Sequence, residues 1–288
     1  LPRRATGEAL ATGRGRVNAL TEAGQRLDFL DQELFAICPG VAILLTTTRV
    51  TTWRGTCPLS SAGGFFFRTD SRLYLVTSRH VLIDLSSGHS PDRVEIELHT
   101  DARDLTRFVV YSIPLYRNGL GLWRQAGHDE AGPVDVAIIE IELDRLPYRT
   151  VLQPLAAAHL DPEGEDVTVG DALTVIGYPL GFHDTVHHLP VARSAAVASA
   201  YGMHFQRKQF FLTDARTHSG SSGSPVFRRR GKPGSTDDSA RSWQLLGIHS
   251  TRMDMRTRDH GVDESLGLNC AWYATVLTAL TREAEQRH

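Results

Sequence analysis

Four serines crowd into the stretch "THSGSSGSPVF", residues 217–227, which holds mostly glycine and other small side chains before Pro225. Serine acts as a nucleophile when a histidine accepts its proton, an acid orients that histidine, and backbone N–H groups face the developing oxyanion. His80 follows the apolar run of "RLYLVTSRHVL". Asp135 opens the apolar segment "VDVAIIEIE", where a buried carboxylate without a partner would be costly. The pattern predicts nucleophilic catalysis by a serine of this stretch, with His80 as base and Asp135 as the orienting acid.

The segments around these residues have the pattern of short β-strands. After Gly40 the chain alternates or repeats β-branched residues in short runs, with Gly, Pro, Asn or Asp between them. The runs are "VAILLTTTRV", "GFFFRT", "RLYLVTS", "RVEIELHT", "RFVVYSI", "VAIIEIE", "ALTVIGY", "RSAAVAS", "QFFLTDA", "SPVFRRR" and "WQLLGIHS". Such a series is typical of an all-β sandwich or a pair of β-barrels.

Helical patterns are predicted at both ends of this β region. Six apolar residues recur at alternating steps of three and four, which predicts one amphipathic helix over residues 20–37 that "CPG" ends. They are Leu20, Ala23, Leu27, Leu30, Leu34 and Ile37. The Ala, Leu and Glu content of "YATVLTALTREAEQ" favours a closing helix.

The segment "LQPLAAAHLDPEGED", residues 152–166, lacks alternation and carries Pro, Gly and acids, so it is the candidate linker between two halves. We therefore expect a tail (1–17) and amphipathic helix within residues 1–39. The first β unit, with His80 and Asp135, would span residues 40–151. Residues 152–288 would hold the linker, a second β unit with the serine stretch, and the closing helix.

Composition argues against several classes of partner. The 288 residues carry a formal net charge of −2, which gives no basic field for nucleic acid or an anionic membrane. Apolar runs such as "VAILL" fall far short of the roughly twenty residues that span a bilayer, and no export signal is visible. Cys38, Cys57 and Cys270 lack metal-ligand spacing and suit buried thiols in a reducing compartment, so a cytoplasmic location is expected.

Three motifs resemble those of trypsin-like serine proteases. "TSRHVL" is similar to their Thr-Ala-Ala-His segment, "DVAIIEI" to their Asp-(Ile/Leu)-Ala-(Leu/Ile) strand, and "GSSGSPVF" to their Gly-Asp-Ser-Gly-Gly-Pro loop. The likeness, extended by "GGFFFR", "VIGYP" and "LLGIHS", covers about residues 40–280 in the family's chain order of His, Asp and Ser. The bacterial glutamyl endopeptidases share "SGSPVF", "GYP" and "GIH". The resemblance implies two packed six-stranded antiparallel β-barrels of the chymotrypsin type.

The resemblance also assigns roles at the serine stretch. The register Gly-x-Ser-Gly-x-Pro makes Ser222 the nucleophile, with the N–H groups of Gly220 and Ser222 as oxyanion donors. Ser250 matches the family serine that hydrogen-bonds the triad aspartate and opens the strand on which the substrate backbone docks. The implied activity is a serine endopeptidase acting on a protein or peptide without a cofactor. Ser221 departs from the family's aspartate, so a freed N-terminus has no carboxylate there to pair with.

Five positions bear on specificity by the same resemblance. Arg216 stands at the base of the primary pocket, where enzymes that cut after basic residues carry Asp. His249 falls where glutamyl endopeptidases place the histidine that contacts a substrate glutamate, and Thr217 matches a threonine of the same pocket, which predicts cleavage after Glu, with Gln next. Thr251 and Arg252 replace two glycines of those enzymes. The alternative is that His249 is packed beneath the pocket and Arg216 points to solvent.

Other functions stay open at this stage. The same fold could be a catalytically silent module that recruits a protein partner, or an esterase. Asp129 is a rival acid in a polar loop. The cluster His183, His187 and His188 could bind a metal, but no Cys or paired acid completes a site, so no metal site is assigned. No oligomeric state is predicted.

Overall fold

The computed structural model describes residues 39–129, 132–160, 166–230, 242–250 and 267–286. The tail, the amphipathic helix predicted over residues 20–37, part of the predicted linker, Cys38, Thr251 and Arg252 lie outside the described residues. Within them, no helix is long and apolar enough to cross a membrane.

Seventeen strands occur in the described part of the chain. In chain order they are β1 (Thr47–Arg54), β2 (Cys57–Arg68), β3 (Leu73–Thr77), β4 (Arg93–His99), β5 (Phe108–Pro114), β6 (Tyr116–Arg117), β7 (Leu120–Gly121), β8 (Trp123–Gln125), β9 (His128–Asp129), β10 (Gly132–Pro133), β11 (Ala137–Ile141), β12 (Ala172–Gly177), β13 (Val191–Ala196), β14 (Phe210–Thr213), β15 (Pro225–Arg229), β16 (Trp243–Ser250) and β17 (Asn269–Tyr273).

Most of these strands form two antiparallel sheets. The first has the order β5-β4-β1-β2-β3-β11-β8, and the second has the order β13-β12-β15-β16-β17-β14. The strands β9 with β10, and β6 with β7, form separate two-stranded ribbons. Both large sheets curl, so the predicted double β-barrel is confirmed. The short strand β8 gives the first sheet one strand more than the expected six.

Three α-helices accompany the sheets among the described residues: α1 (Pro39–Ala42), α2 (Arg79–Leu82) and α3 (Val276–Gln286). The closing helix predicted near the C-terminus corresponds to α3. Its residues Leu277, Leu280 and Ala284 are buried. Their spacing of three and four places them on one helical face, which packs against the core.

The apolar strands are buried on both faces because the core has several layers. Successive side chains of a strand point to opposite faces. In β2, Phe65 and Phe67 pack between the two sheets, whereas Phe66 packs inside the first sheet. In β14, Phe210 packs between the sheets and Phe211 inside the second. Continuous apolar runs such as "GFFFR" are therefore required here.

We call the layer between the sheets the inter-sheet cluster. Its strand residues are Phe65, Phe67, Tyr74, Val76 and Ile138 from the first sheet, and Ile176, Phe210, Leu212, Phe227, Leu245, Ile248, Cys270 and Trp272 from the second. At roughly 25 cal/mol for each Å² of apolar surface removed from water, a layer of this size is a main source of cohesion between the halves.

One of the two described cysteines is exposed, although all three cysteines were expected to be buried. Cys270 is buried in β17, but Cys57 is exposed, because the first four residues of β2 extend beyond the covered part of the sheet. Neither residue forms a disulfide with another described cysteine.

Candidate active site

The first sheet brings His80 and Asp135 together. His80 lies in α2, directly after β3, and Asp135 lies just before β11. Because β3 and β11 pair antiparallel, with Thr77 opposite Ala137, the end of one strand lies beside the start of the other. The Nδ1–H of His80 donates to Oδ2 of Asp135 at 2.6 Å, and the His80 backbone N–H donates to Oδ1 at 2.9 Å.

The second sheet supplies Ser222, from the loop between β14 and β15. Its Oγ lies 3.1 Å from Nε2 of His80. Since the Nδ1 proton of His80 points to Asp135, Nε2 carries the lone pair and the Ser222 hydroxyl donates to it. Asp135 and Ser222 lie 55 and 142 positions after His80 in the chain. The three side chains nevertheless form one line of hydrogen bonds.

The carboxylate of Asp135 is held ionised. The residue is 9% exposed, and burial alone would raise its pKa. Hydrogen bonds from the His80 ring, from the Ser250 hydroxyl at 2.8 Å and from the His80 backbone outweigh burial and keep the pKa below its ordinary value. A carboxylate in this state fixes the His80 ring and can stabilise a positive charge on it.

A β-bulge in β16 aims Ser250 at Asp135. Leu245 and Ile248, three residues apart, both belong to the inter-sheet cluster, while Leu246 packs inside the second sheet. The register with β15 shifts at this point, so one extra residue is inserted in β16. Bulges re-aim side chains in this way. Without the bulge, His249 instead of Ser250 would face the first sheet.

Glycine is needed on both sides of Ser222. Gly220 has φ +91° and Gly223 has φ +81°, a region that side chains strongly disfavour. A Cβ on Gly220 would lie 2.7 Å from the carbonyl oxygen of Tyr178. One on Gly223 would lie 2.3 Å from the carbonyl oxygen of Gly63. The turn around Ser222 therefore excludes larger residues by conformation and by space.

The peptide between Ser219 and Gly220 has a fixed orientation. The Ser219 carbonyl accepts a hydrogen bond from the Leu180 N–H at 2.6 Å. In a planar trans peptide the N–H points opposite to the C=O, so the Gly220 N–H points away from the Leu180 loop. Within the described residues that N–H donates no hydrogen bond.

Two supporting residues, Gly63 and Thr77, were missed at the level of sequence. The Gly63 N–H donates to the Ser222 carbonyl at 2.9 Å, which ties the serine loop to β2. The Thr77 hydroxyl donates to the Gly63 carbonyl at 2.8 Å. The sequence feature that could have indicated this contact is the pair of adjacent glycines, Gly63 and Gly64, inside an apolar strand. Such glycines mark a place where another backbone segment approaches the strand closely.

The residues predicted to set specificity lie in different surroundings. Arg216 is exposed, and the Thr217 hydroxyl donates to Oδ1 of Asn269 at 2.6 Å. His249 is fully buried, and neither of its ring nitrogens has a hydrogen-bond partner. Burial, followed by the charge on His80, lowers the pKa of His249 to about 4. The imidazole is therefore neutral near pH 7. The side chain of the rival acid Asp129 lies outside the described part.

Comparison with known proteins identifies the family. Residues 62–233, more than half of the chain, match the trypsin-like peptidase domain. The chain belongs to the trypsin-like peptidase family. The family predicted from "TSRHVL", "DVAIIEI" and "GSSGSPVF" is thereby confirmed. No curated protein sequence matches this trypsin-like peptidase.

Solved structures resemble the fold of this trypsin-like peptidase. A scabies mite inactivated protease paralogue aligns with a TM-score of 0.51 and 17% identity, over 86% of this chain and 97% of that one. A serine endoprotease from Yersinia pestis aligns with a TM-score of 0.48 and 14% identity, over 88% of this chain. The present chain spans 65% of that protein's chain. At these identities the likeness concerns the fold alone.

Proposed function

We propose that this trypsin-like peptidase is a serine endopeptidase in which Ser222, His80 and Asp135 form the catalytic triad. The observation that carries the proposal is the line of hydrogen bonds from Ser222 Oγ to His80 Nε2, at 3.1 Å, and from His80 Nδ1 to Asp135, at 2.6 Å. Both distances lie within the reach that proton transfer requires.

The reaction follows from this arrangement. His80 Nε2 takes the hydroxyl proton as Ser222 Oγ attacks the carbonyl carbon of a peptide bond, and Asp135 stabilises the resulting imidazolium. The imidazolium then protonates the leaving amine, which departs and leaves an acyl group on Ser222. Water, deprotonated by His80, attacks this ester and releases the acid, which restores the Ser222 hydroxyl.

The oxyanion donors in this proposal are the backbone N–H groups of Gly220 and Ser222. The Ser219 carbonyl is held by Leu180, so the adjacent Gly220 N–H is already directed away from that loop. Donors that are oriented before the reaction need no reorganisation at the transition state. This orientation argues against a collapsed loop, which is the feature that a silent binding module would have.

Fold membership alone does not decide between enzyme and binding module. One of the similar structures is described as an inactivated protease paralogue, and the same fold can host either role. The residues of the site favour an enzyme, because all three triad positions carry the side chains that the chemistry needs. An esterase would use the same triad and is distinguished by comparing the turnover of ester and peptide substrates.

For specificity we propose cleavage after Glu, with Gln next, as in the glutamyl-endopeptidase branch. His249 is buried beside the serine loop, since its carbonyl accepts a hydrogen bond from Gly223 and its N–H donates to Ser224. Its neutral ring carries one N–H without an acceptor; because the ring is fully buried, the adjoining loop has to shift for a substrate carboxylate or amide oxygen to reach it. The charge of Arg216 disfavours a basic side chain nearby.

A peptide library tests activity and specificity together. We expect the parent protein to cleave after Glu first and after Gln second, and the Ser222→Ala variant to show no cleavage above background. His249→Ala should lose the Glu preference while it retains turnover of other peptides. Preference after Lys, Arg or large aromatic residues would contradict the specificity, as would an unaltered profile of His249→Ala. Failure of the parent to hydrolyse any peptide would contradict the activity itself.

A further inference from the structure

A second group of chemically capable side chains lies where the loop after β12 meets the first sheet. His183 and His188 belong to this loop, which runs from Tyr178 to Pro190, and Glu97 belongs to β4. One ligand atom from each of these three residues lies within 4.8 Å of the other two. The carboxylate of this group, Glu97, comes from a point 91 positions before His188 in the chain.

We propose that Glu97, His183 and His188 form a binding site for a zinc-class divalent cation, separate from the serine site. Two imidazoles and one carboxylate are the protein ligands of many zinc sites in which the fourth position is taken by water. The proposal concerns binding and does not depend on the proposed peptidase activity.

The ring of His183 is already prepared for coordination. Its Nδ1–H donates to the carbonyl oxygen of Gly181 at 2.6 Å. The neutral ring then has its lone pair on Nε2. Metal-binding histidines usually donate the other ring N–H to a carbonyl or carboxylate, which fixes both tautomer and orientation.

The contact between His188 and Glu97 has the spacing of two ligands on one ion. The His188 Nδ1–H donates to Oε2 of Glu97 at 3.0 Å. Two ligands at about 2.0–2.1 Å from a tetrahedral zinc ion lie about 3.3 Å apart. The cation would take the place of the shared proton, which moves from Nδ1 to Nε2 of the same ring. Since no two of the three ligand atoms are more than 4.8 Å apart, coordination requires them to close to about 3.3 Å.

The surroundings limit how these side chains move. The side chains of Glu97 and His188 are 11% and 16% exposed, and Phe108 stacks on the His188 ring with a centroid distance of 3.6 Å. His188 is also held at φ +54°, an uncommon conformation for a residue with a side chain. Arg49 pairs with Oε1 of Glu97, which leaves Oε2 as the single carboxylate ligand.

Ligand chemistry selects the class of ion. Imidazole nitrogen suits zinc and its neighbours among the transition metals, whereas calcium and magnesium require mostly oxygen ligands. The positive charge of Arg49 beside Glu97 lowers the affinity for any cation, so tight binding depends on both imidazoles. Because β4 and the loop belong to different halves of the chain, an ion bound here joins them and stabilises the folded state.

The test is a titration of the chelator-treated 288-residue chain with Zn²⁺, followed by calorimetry and thermal melting. We expect one equivalent to bind and the Tm to rise, with no rise in Ca²⁺ or Mg²⁺ at the same concentration. Co²⁺ in place of Zn²⁺ should give the visible absorption of a four-coordinate site. Absence of a one-equivalent Zn²⁺ event in the parent protein would overturn the proposal without recourse to any variant.

Variants locate the site. Replacing a ligand, as in His183→Ala or Glu97→Gln, should weaken Zn²⁺ binding at least about tenfold and remove the Co²⁺ absorption. The matched control is His187→Ala, since His187 lies in the same loop but its ring bonds to Asp184. Equal weakening by the control, or undiminished Zn²⁺ affinity in both ligand variants, would contradict the assignment.

Discussion

The backbone conformation of Gly220 determines where one of the proposed oxyanion donors points. Its φ of +91° and the Tyr178 carbonyl oxygen 2.7 Å from a potential Cβ leave no place for a side chain. The Ser219 carbonyl is at the same time tied to Leu180. A substitution at Gly220 that turns the Ser219–Gly220 peptide would therefore displace the Gly220 N–H, one of the two proposed oxyanion donors. The triad side chains would keep their positions.

Gly220→Ala should lower kcat about 10²–10³-fold, the usual loss for one oxyanion donor. Gly170→Ala is a matched control, because Gly170 has φ +92° with no atom within 4 Å of a potential Cβ. It carries the same backbone strain away from the site and should keep kcat. Steady-state hydrolysis of a peptide substrate measures both. A similar loss in the two variants would mean that strain, and not the oxyanion donor, limits activity.

Ser222 could be predicted from the sequence as the nucleophile because Gly220, Gly223 and Pro225, which define the motif, lie within three positions of it in the chain. The roles of Gly63, Thr77 and Leu180 could not, because each acts through a contact with a residue far away in sequence. Glu97 was missed for the same reason: a ligand set drawn from two halves of the chain leaves no local spacing to recognise.

The strand β16 determines which of two neighbouring residues meets the triad. Its bulge turns Ser250 toward Asp135 and leaves His249 buried on the opposite face of the strand. The strand itself was predictable from "WQLLGIHS", but alternation alone would assign the opposite faces beyond the bulge. The three-residue strand β8 was not predicted either, since it is too short to show any periodicity.

Burial of His249 in this strand predicts a pH-dependent stability. Its folded pKa of about 4 lies below the ordinary 6.5, so between these values the unfolded chain binds a proton that the folded chain does not. The free energy of unfolding should therefore fall as the pH decreases from 6.5 toward 4. For this residue the loss between pH 6.5 and pH 5 should be about 2 kcal/mol.

Urea unfolding at several pH values tests this prediction. His249→Val, which does not titrate and suits a strand, should lose about 2 kcal/mol less than the parent between pH 6.5 and pH 5. If His249→Val declined as steeply as the parent, His249 would not be buried in its neutral form.

The candidate site lies where the two large sheets of the molecule meet. His80 and Asp135 come from the first sheet and Ser222 from the second, and the inter-sheet cluster beneath them holds the two together. The two-barrel arrangement could be predicted from strand patterns and motif order. The division at residues 39 and 151 stays a prediction, because it depends partly on segments outside the described residues.

Activity should not depend on the N-terminal tail. Ser221 is buried, and it replaces the aspartate that pairs with a freed N-terminus in the zymogens of the family. Deletion of residues 1–17 should therefore leave kcat within about twofold of the parent, a change that corresponds to less than about 0.5 kcal/mol in the barrier. A large rise in kcat on trimming, measured with one peptide substrate, would reveal an activation step that depends on the tail.

Labelling by a fluorophosphonate probe tests most directly whether His80 of the first sheet activates Ser222 of the second. Such a probe reacts rapidly only with an activated serine beside a formed oxyanion hole. We predict that the parent protein is labelled, that mass spectrometry of the modified peptide places the adduct on Ser222, and that Ser222→Ala is unlabelled. Ser221→Ala should retain at least part of the labelling. An unlabelled parent protein, or equal loss of labelling from Ser221→Ala and Ser222→Ala, would contradict this account.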